Sequence, residues 1–252
     1  MNLDRMIAVR SDKTIYRDGD KCLKVFVGGR NVSDIFREAM NQSLLLEAGV
    51  CVPRVFGVQQ EGEKWAIVFS YIRGKSLERD MEEEPGRQAE YLSLFIRLQK
   101  ELHAMASPRM IRLADVLPGV LGQEELSPAV RERLRAVAAT RPPQSAICHG
   151  DFRPSNILLS AEGKPYIIDC PLLFSGPPAL DVAITYHRLR LGKADYADRY
   201  AELYCGQNEW LSLCVRRLLP LAAAFVMQKS NARERAVLLA ALEKDIGKET
   251  QL

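Results

Sequence analysis

Between residues 147 and 169 the sequence runs Ile147-Cys148-His149-Gly150-Asp151-Phe152-Arg153-Pro154-Ser155-Asn156-Ile157-Leu158-Leu159 and, after a short hairpin, Tyr166-Ile167-Ile168-Asp169. Two apolar runs flank a polar loop, so a chain that buries them must deliver Asp151 and Asn156 on that loop. Asp169 then closes the next β-run. Taken singly, His149-Gly150-Asp151 reads as a turn with a capping Asp, and Asp169 as a strand-end residue. As an ordered set they match the parts that phosphoryl transfer needs. One carboxylate orients the attacking hydroxyl and accepts its proton, while an Asn and a second carboxylate hold Mg²⁺ against the phosphates.

The N-terminal region supplies a further pair. Segments 7–9, 14–16 and 22–26 read as short strands, with Asp18-Gly19-Asp20 as the turn between the last two. Alternation places Cys22, Lys24 and Phe26 on one face and Leu23 and Val25 on the other. A lysine in the middle of an apolar strand needs a partner. Residues 32–48 carry apolar side chains at helical spacing, with Ser33 or Asp34 positioned to cap. Glu38 lies near the core-facing stripe of that helix. A Lys24–Glu38 ion pair would aim the lysine at nucleotide phosphates; the alternative is two unrelated surface charges.

The run from His149 to Asn156, followed by Ile167-Ile168-Asp169, resembles the catalytic and metal-binding loops of the aminoglycoside phosphotransferase and choline kinase superfamily, whose fold is similar to that of the protein kinases. The resemblance extends to about Asp181. It implies an α+β, protein-kinase-like two-lobed fold, with a small antiparallel sheet and one helix in the N-lobe and a mainly helical C-lobe. On that pattern residues 1–73 form the nucleotide-binding lobe. Residues 74–252 form the catalytic and acceptor-binding lobe, with a helical insertion at about 108–143.

The resemblance also implies roles. Asp151 is the catalytic base, Asn156 a Mg²⁺ ligand, and Asp169 the ligand bridging metal and phosphates. Arg153, where protein kinases carry a lysine, would touch the transferred phosphate; a surface arginine is the plain alternative. Lys24 and Glu38 form the kinase ion pair, and the backbones of Ser70 and Ile72 contact adenine at a hinge. Asp181, by itself a first-turn or N-cap acid, becomes a residue supporting the catalytic loop. His103 is read as structural.

The sequence also departs from the kinase pattern. Its N-terminal turn, Arg10-Ser11-Asp12-Lys13, has no glycine, so backbone amides or the Ser11 and Lys13 side chains would have to reach the phosphates. His149 in place of an arginine before the catalytic Asp, and a short stretch over 171–179, point to the small-molecule branch rather than to an enzyme switched by activation-loop phosphorylation.

Composition adds boundaries. The 252 residues suffice for two lobes with a core, and a net charge of +3 is too weak a bias to indicate nucleic acid or a membrane surface. Six cysteines with no CxxC pair read as buried free thiols of a reducing compartment. The first ten residues carry no secretory core, and the apolar run 218–227 is about half a membrane span. A cytoplasmic protein without membrane insertion is expected.

The expected function is an ATP-dependent, Mg²⁺-assisted phosphotransferase acting on a hydroxyl of a small molecule that is aminoglycoside-, choline- or sugar-like. The alternatives are a kinase of a larger acceptor, such as a lipopolysaccharide sugar or a protein, or a silent nucleotide-binding relative. Basic residues outnumber acidic ones from 182 to 252, which gives no sign of an acidic cavity for a polycation. Oligomeric state has no signature in the sequence.

Overall fold

The structure, a computed structural model, describes residues 5–10, 12–106, 109–192 and 194–249. Ser11, one candidate phosphate contact, lies outside the described residues, as does Pro108 at the start of the expected insertion. In chain order the elements are β1 (Arg5–Val9), β2 (Lys13–Asp18), β3 (Lys21–Phe26), α1 (Val32–Glu47), β4 (Val55–Glu61), β5 (Lys64–Ser70), β6 (Gly74–Ser76), α2 (Leu77–Glu83), α3 (Gln88–His103), α4 (Leu113–Leu121) and α5 (Pro128–Ala139). There follow β7 (Ala146–Cys148), β8 (Ile157–Ser160), β9 (Pro165–Ile167), β10 (Phe174–Gly176), α6 (Pro178–Gly192), α7 (Ala194–Cys205), α8 (Glu209–Met227) and α9 (Ala232–Glu249). The chain divides into two compact units, Met1–Tyr91 with Pro154–Leu172, and Leu92–Arg153 with Leu173–Leu252.

The first unit is built on a five-stranded antiparallel sheet of order β1-β2-β3-β5-β4. Alternation along β3 sorts its side chains as the sequence predicts. Phe26 joins Ile67 and Phe69 against Ile35 and Ala39 of α1, with Cys22 packed beside them. Leu23 and Val25 face Ala66, Val68 and Tyr16 on the other side. Lys24 therefore emerges on the α1 side, between two apolar neighbours. Helix α1 starts at Val32 after Asn31, whose side chain makes no capping bond. Ser33 and Asp34, expected as caps, instead sit inside the first turn, where Asp34 complements the helix dipole. At the other end Gly49, at φ 87°, turns the chain so that Val50 N–H reaches the Leu45 carbonyl at 3.0 Å.

A second sheet of the same unit, β6-β8-β9, joins chain segments far apart in sequence. Because β6 pairs with β8, residues 74–91 and 154–172 fall in the first unit, and the boundary expected at 73/74 lies within it. Strand β5 ends at Ser70, so Ile72 follows in a non-strand segment whose Tyr71 N–H donates to the Asp20 carbonyl at 2.7 Å.

The second unit is mainly helical. Phe95 of α3 stacks with Phe152 at 4.8 Å and Tyr200 at 5.6 Å between centroids. The short β7 and β10 pair antiparallel. In the insertion, α5 buries Val130, Leu134 and Ala138 along one face. Helix α8 is long and apolar enough to cross a membrane by length and composition, and half of that stretch is buried inside the protein. It packs against α4, α5, α6, α7 and α9.

All six cysteines are free. Cys148, Cys170 and Cys205 are buried as expected, Cys22 and Cys214 are half-buried, and Cys51 is exposed. Cys51 follows α1 in a segment held through its backbone, with its carbonyl accepting Ile167 N–H at 2.9 Å, so its thiol is not needed in the core.

Gly74 is the tightest backbone approach in the first unit. A Cβ there would lie 1.9 Å from the Leu159 carbonyl oxygen, main chain that cannot swing aside. Gly74→Ala should lower the unfolding free energy by about 2 kcal/mol, within the usual cost of overpacking, read from the midpoint of urea unfolding. An unchanged midpoint would show that β6 does not lie this close to β8.

Candidate active site

Two clusters of chemically active side chains form, one in each unit. In the first unit the β8–β9 hairpin sets the geometry. Ile157 pairs with Ile167, and Ile168 N–H donates to the Asn156 carbonyl at 2.9 Å, so Asn156 and Asp169 leave the hairpin at the same end. Asp169 has φ 61°, the one positive-φ residue other than glycine among the described residues. Asp tolerates this left-handed conformation better than most side chains. The next carbonyl, of Cys170, accepts the Asn41 side-chain amide of α1 at 2.9 Å, which ties this bend to the helix carrying Glu38.

Lys24 is the centre of this cluster. It is 5% exposed, and its ammonium donates both to Glu38, 1% exposed, and to Asp169. Lys13 of β2 places its ammonium 2.9 Å from both Asp169 oxygens. Arg30 donates to the other Glu38 oxygen at 2.9 Å. Burial opposes the charge on Lys24, but the carboxylates of Asp169 and Glu38 outweigh it and raise its pKa. Burial likewise opposes ionisation of Asp169, and the two lysines outweigh it and hold the carboxyl well below its ordinary range. For Lys13 the balance reverses: burial and the nearby Lys24 charge lower its pKa despite Asp169.

Three cations thus converge on the carboxylates of Glu38 and Asp169, with Arg30 also 3.5 Å from the exposed carboxylate of Asp12, and the two ammonium groups on Asp169 are of the kind that meets a phosphate chain. Among the described residues no group of three His, Cys, Asp or Glu could hold a metal ion by itself. The Asn156 amide oxygen and the Asp169 carboxylate are hard oxygen donors. That set fits Mg²⁺, which binds through one or two carboxylates and completes its shell with water and phosphate.

The second unit holds Asp151. The chain leaves β7 and turns at Gly150, φ 75°, whose N–H donates to Asp181 Oδ1 at 2.8 Å. Asp181 is fully buried in the first turn of α6. Its Oδ2 accepts from Gln99 Nε2 at 3.1 Å and lies 2.9 Å from His103 Nε2. His103 Nδ1 is 2.6 Å from the Tyr204 hydroxyl, and the Tyr200 hydroxyl donates to Gln99. Burial would raise the Asp181 pKa; the His103 hydrogen bond and charge, together with the Gly150 amide, outweigh it and lower the value. Asp181 is thus the anchor of the loop that presents Asp151.

Asp151 itself is 6% exposed and lies between two arginines, with Arg188 Nε 2.8 Å from Oδ1 and Arg153 Nε 3.5 Å from Oδ2. Arg188, on α6, has no counterpart in the sequence-based expectations.

Residues 8–215 match the phosphotransferase enzyme family, APH. The chain belongs to the APH phosphotransferase family. No curated protein sequence matches it. Among solved structures, a thermostable mutant of aminoglycoside phosphotransferase APH(4)-Ia superposes with a TM-score of 0.70 at 12% identity, covering 97% of this chain and 94% of that one. The aminoglycoside-3'-phosphotransferase of type VIII gives 0.62 at 21% identity, with 88% and 93% covered. APH(3'')-Id from Streptomyces rimosus ATCC10970 gives 0.62 at 18% identity, with 86% and 92% covered. These likenesses establish the kinase-like fold of this APH chain.

Within this APH chain the structure brings together Lys24, Glu38, Asn156 and Asp169 in the first unit, and Asp151 and Arg153 in the second. Ser70 has its N–H committed to the Arg54 carbonyl at 2.8 Å and its hydroxyl to the Arg54 amide at 2.9 Å. Sequence reasoning missed Arg30 and Arg188, and gave Lys13 only as a phosphate contact. A usable signal for Arg188 was its place on α6 just after the buried run Val182, Ala183, Ile184 and Thr185.

Because the Asp181 pKa is depressed, its contribution to stability is complete above its unfolded value of about 4 and is lost as the pH falls through its lower folded value. Asp181→Asn should therefore destabilise the protein at neutral pH by about 1.5–3 kcal/mol, the range for a hydrogen bond to a charged group. The gap to the native protein should narrow as the pH drops below about 4. Chemical denaturation across pH checks this, and a gap that stays constant would contradict it.

Proposed function

We propose that this APH-family protein transfers the γ-phosphoryl group of ATP to a hydroxyl of a small molecule, with Asp151 as base and Mg²⁺ held by Asn156 and Asp169. The observation that carries this reading is the buried Lys24 ammonium shared by Glu38 and Asp169. A lysine fixed by a helix glutamate and lying against a metal-binding aspartate is an arrangement kinases require. Further support comes from structural relatives, among them a ternary complex of an APH(4)-Ia mutant with ADP and hygromycin B, and APH(3'')-Id with ADP and streptomycin.

In this reading Lys24, oriented by Glu38, neutralises the phosphate chain, and Lys13 adds a second ammonium where kinases use a glycine-rich loop. Ile72 and the Ser70 carbonyl are the backbone contacts to adenine, since the Ser70 N–H is already used. Bound Mg²⁺ supplies charge neutralisation of the phosphates. Asp151 accepts a hydrogen bond from the acceptor hydroxyl and lines up its oxygen. As that oxygen bonds to the γ-phosphorus, the bond from phosphorus to the bridging oxygen of ADP breaks and the hydroxyl proton passes to Asp151. Arg153, close to Asp151, meets the charge on the transferred group.

A second reading keeps nucleotide binding without turnover. It is favoured by Lys13, which covers both oxygens of the proposed metal ligand Asp169.

The two readings separate in one experiment. Mg·ATP should raise the melting temperature, and Asp169→Asn should remove the Mg²⁺-dependent part of that rise. Asp151→Asn should keep the rise while lowering phosphorylation of an accepted substrate by about 10²–10⁴-fold, the usual worth of a positioned base. Turnover undiminished in Asp151→Asn would overturn the assignment of the base, and a Mg²⁺-dependent rise with no turnover on any hydroxyl acceptor would favour the silent reading.

A further inference from the structure

Arg188 holds Asp151 in an incomplete way. Its side chain is 5% exposed, and Nε pairs with Asp151 Oδ1 at 2.8 Å. Nε is therefore taken up by Asp151, whereas Nη2 lacks a hydrogen-bond acceptor among the described residues. These two donors share one edge of the guanidinium, the edge that grips carboxylates and phosphates in a fork. The opposite nitrogen, Nη1, reaches only the Ser230 hydroxyl at 3.4 Å. A buried guanidinium nitrogen left without an acceptor, as Nη2 is, is costly in a folded protein, and it is a feature that a bound ligand would relieve.

The surrounding charges favour the same kind of ligand. Arg153 brings a second guanidinium to Asp151. The other acidic group acting on Arg188 is Glu234 of α9, whose Oε2 already accepts the Asn231 N–H at 3.1 Å at the start of that helix. Burial, together with the repulsion of Arg153, lowers the pKa of Arg188 in spite of Asp151. A polycationic acceptor approaching Asp151 would meet two arginines on either side of the base.

We propose that the acceptor carries an anionic group, a carboxylate or a phosphate, beside the hydroxyl that is phosphorylated, and that Nη2 of Arg188 binds it next to Asp151. The proposal rests on the phosphotransferase reading and gives it a substrate class. The hydroxyl is taken by Asp151 and the neighbouring anion by Arg188, so one ligand satisfies both groups and is fixed in orientation.

The test is acceptor binding by titration calorimetry on the whole chain with Mg²⁺ and AMP-PNP present, which requires no turnover. The probes are charged and neutral twins: D-glycerate with glycerol, D-gluconate with glucitol, and ribose 5-phosphate with ribose, with hygromycin B as the polycation. At least one charged probe should bind about tenfold or more tightly than its twin, a difference readily resolved in Kd. The carboxylate and phosphate pairs tell which anion is preferred. Arg188→Gln should erase the preference, and Arg188→Lys should keep part of it, since charge remains while the fork is lost. If Arg188→Gln fails to fold, the native preference and Arg188→Lys decide.

The proposal is overturned if no charged probe binds more tightly than its twin up to about 10 mM, a limit beyond which affinity is negligible. Tighter binding of hygromycin B than of every anion would also overturn it, as would a preference unchanged in Arg188→Gln. Binding of Mg²⁺ and AMP-PNP without acceptor is read separately. Its absence alongside a retained anion preference would sink the phosphotransferase reading alone.

Discussion

The Lys24 ammonium is the interaction on which the first unit depends. A charge buried this deeply is tolerated only when paired and hydrogen-bonded, and removing one partner from such a pair costs about 3–5 kcal/mol. Glu38 and Asp169 both meet that need, and they come from different parts of the chain, α1 and the bend after β9. One side chain thereby joins the sheet, the helix and the β8–β9 hairpin. Asn41 repeats the link through the Cys170 carbonyl. In the proposed reading, the same contacts that stabilise the unit would align a lysine for phosphate and a carboxylate for metal.

Three aspartates with one chemical identity are given different environments. Asp169 is surrounded by ammonium groups, Asp181 by neutral donors and an imidazole, and Asp151 by guanidiniums. Asp181 is consumed by structure, since each of its oxygens already accepts a hydrogen bond. Asp151 is held in place between its two arginine partners. In the proposed reading that fixed position is what counts, because a loose transition state asks more for alignment of the hydroxyl than for early proton removal.

Much of this was legible in the sequence, for identifiable reasons. The alternation in β3 puts Lys24 on the helix face, helical spacing puts Glu38 opposite, and the apolar runs around Asn156 and Asp169 produce the hairpin. Charges reaching across long sequence separations were harder to see. Lys13 meets a carboxylate 156 residues away, and Arg188 meets one 37 residues upstream from the last polar turn of an apolar helix, where an arginine ordinarily faces solvent. Helix starts were also less legible, because Ser33 and Asp34 are good caps by residue type while the backbone begins its helix one residue earlier.

The most direct measurement of the central claim is calorimetric titration of AMP-PNP, with and without Mg²⁺, into the native protein and Lys24→Met. The account predicts binding that requires Mg²⁺ and weakens by about tenfold or more in the variant, as the loss of a charge-assisted contact should produce. Equal affinity in the two proteins, or affinity indifferent to Mg²⁺, would contradict it.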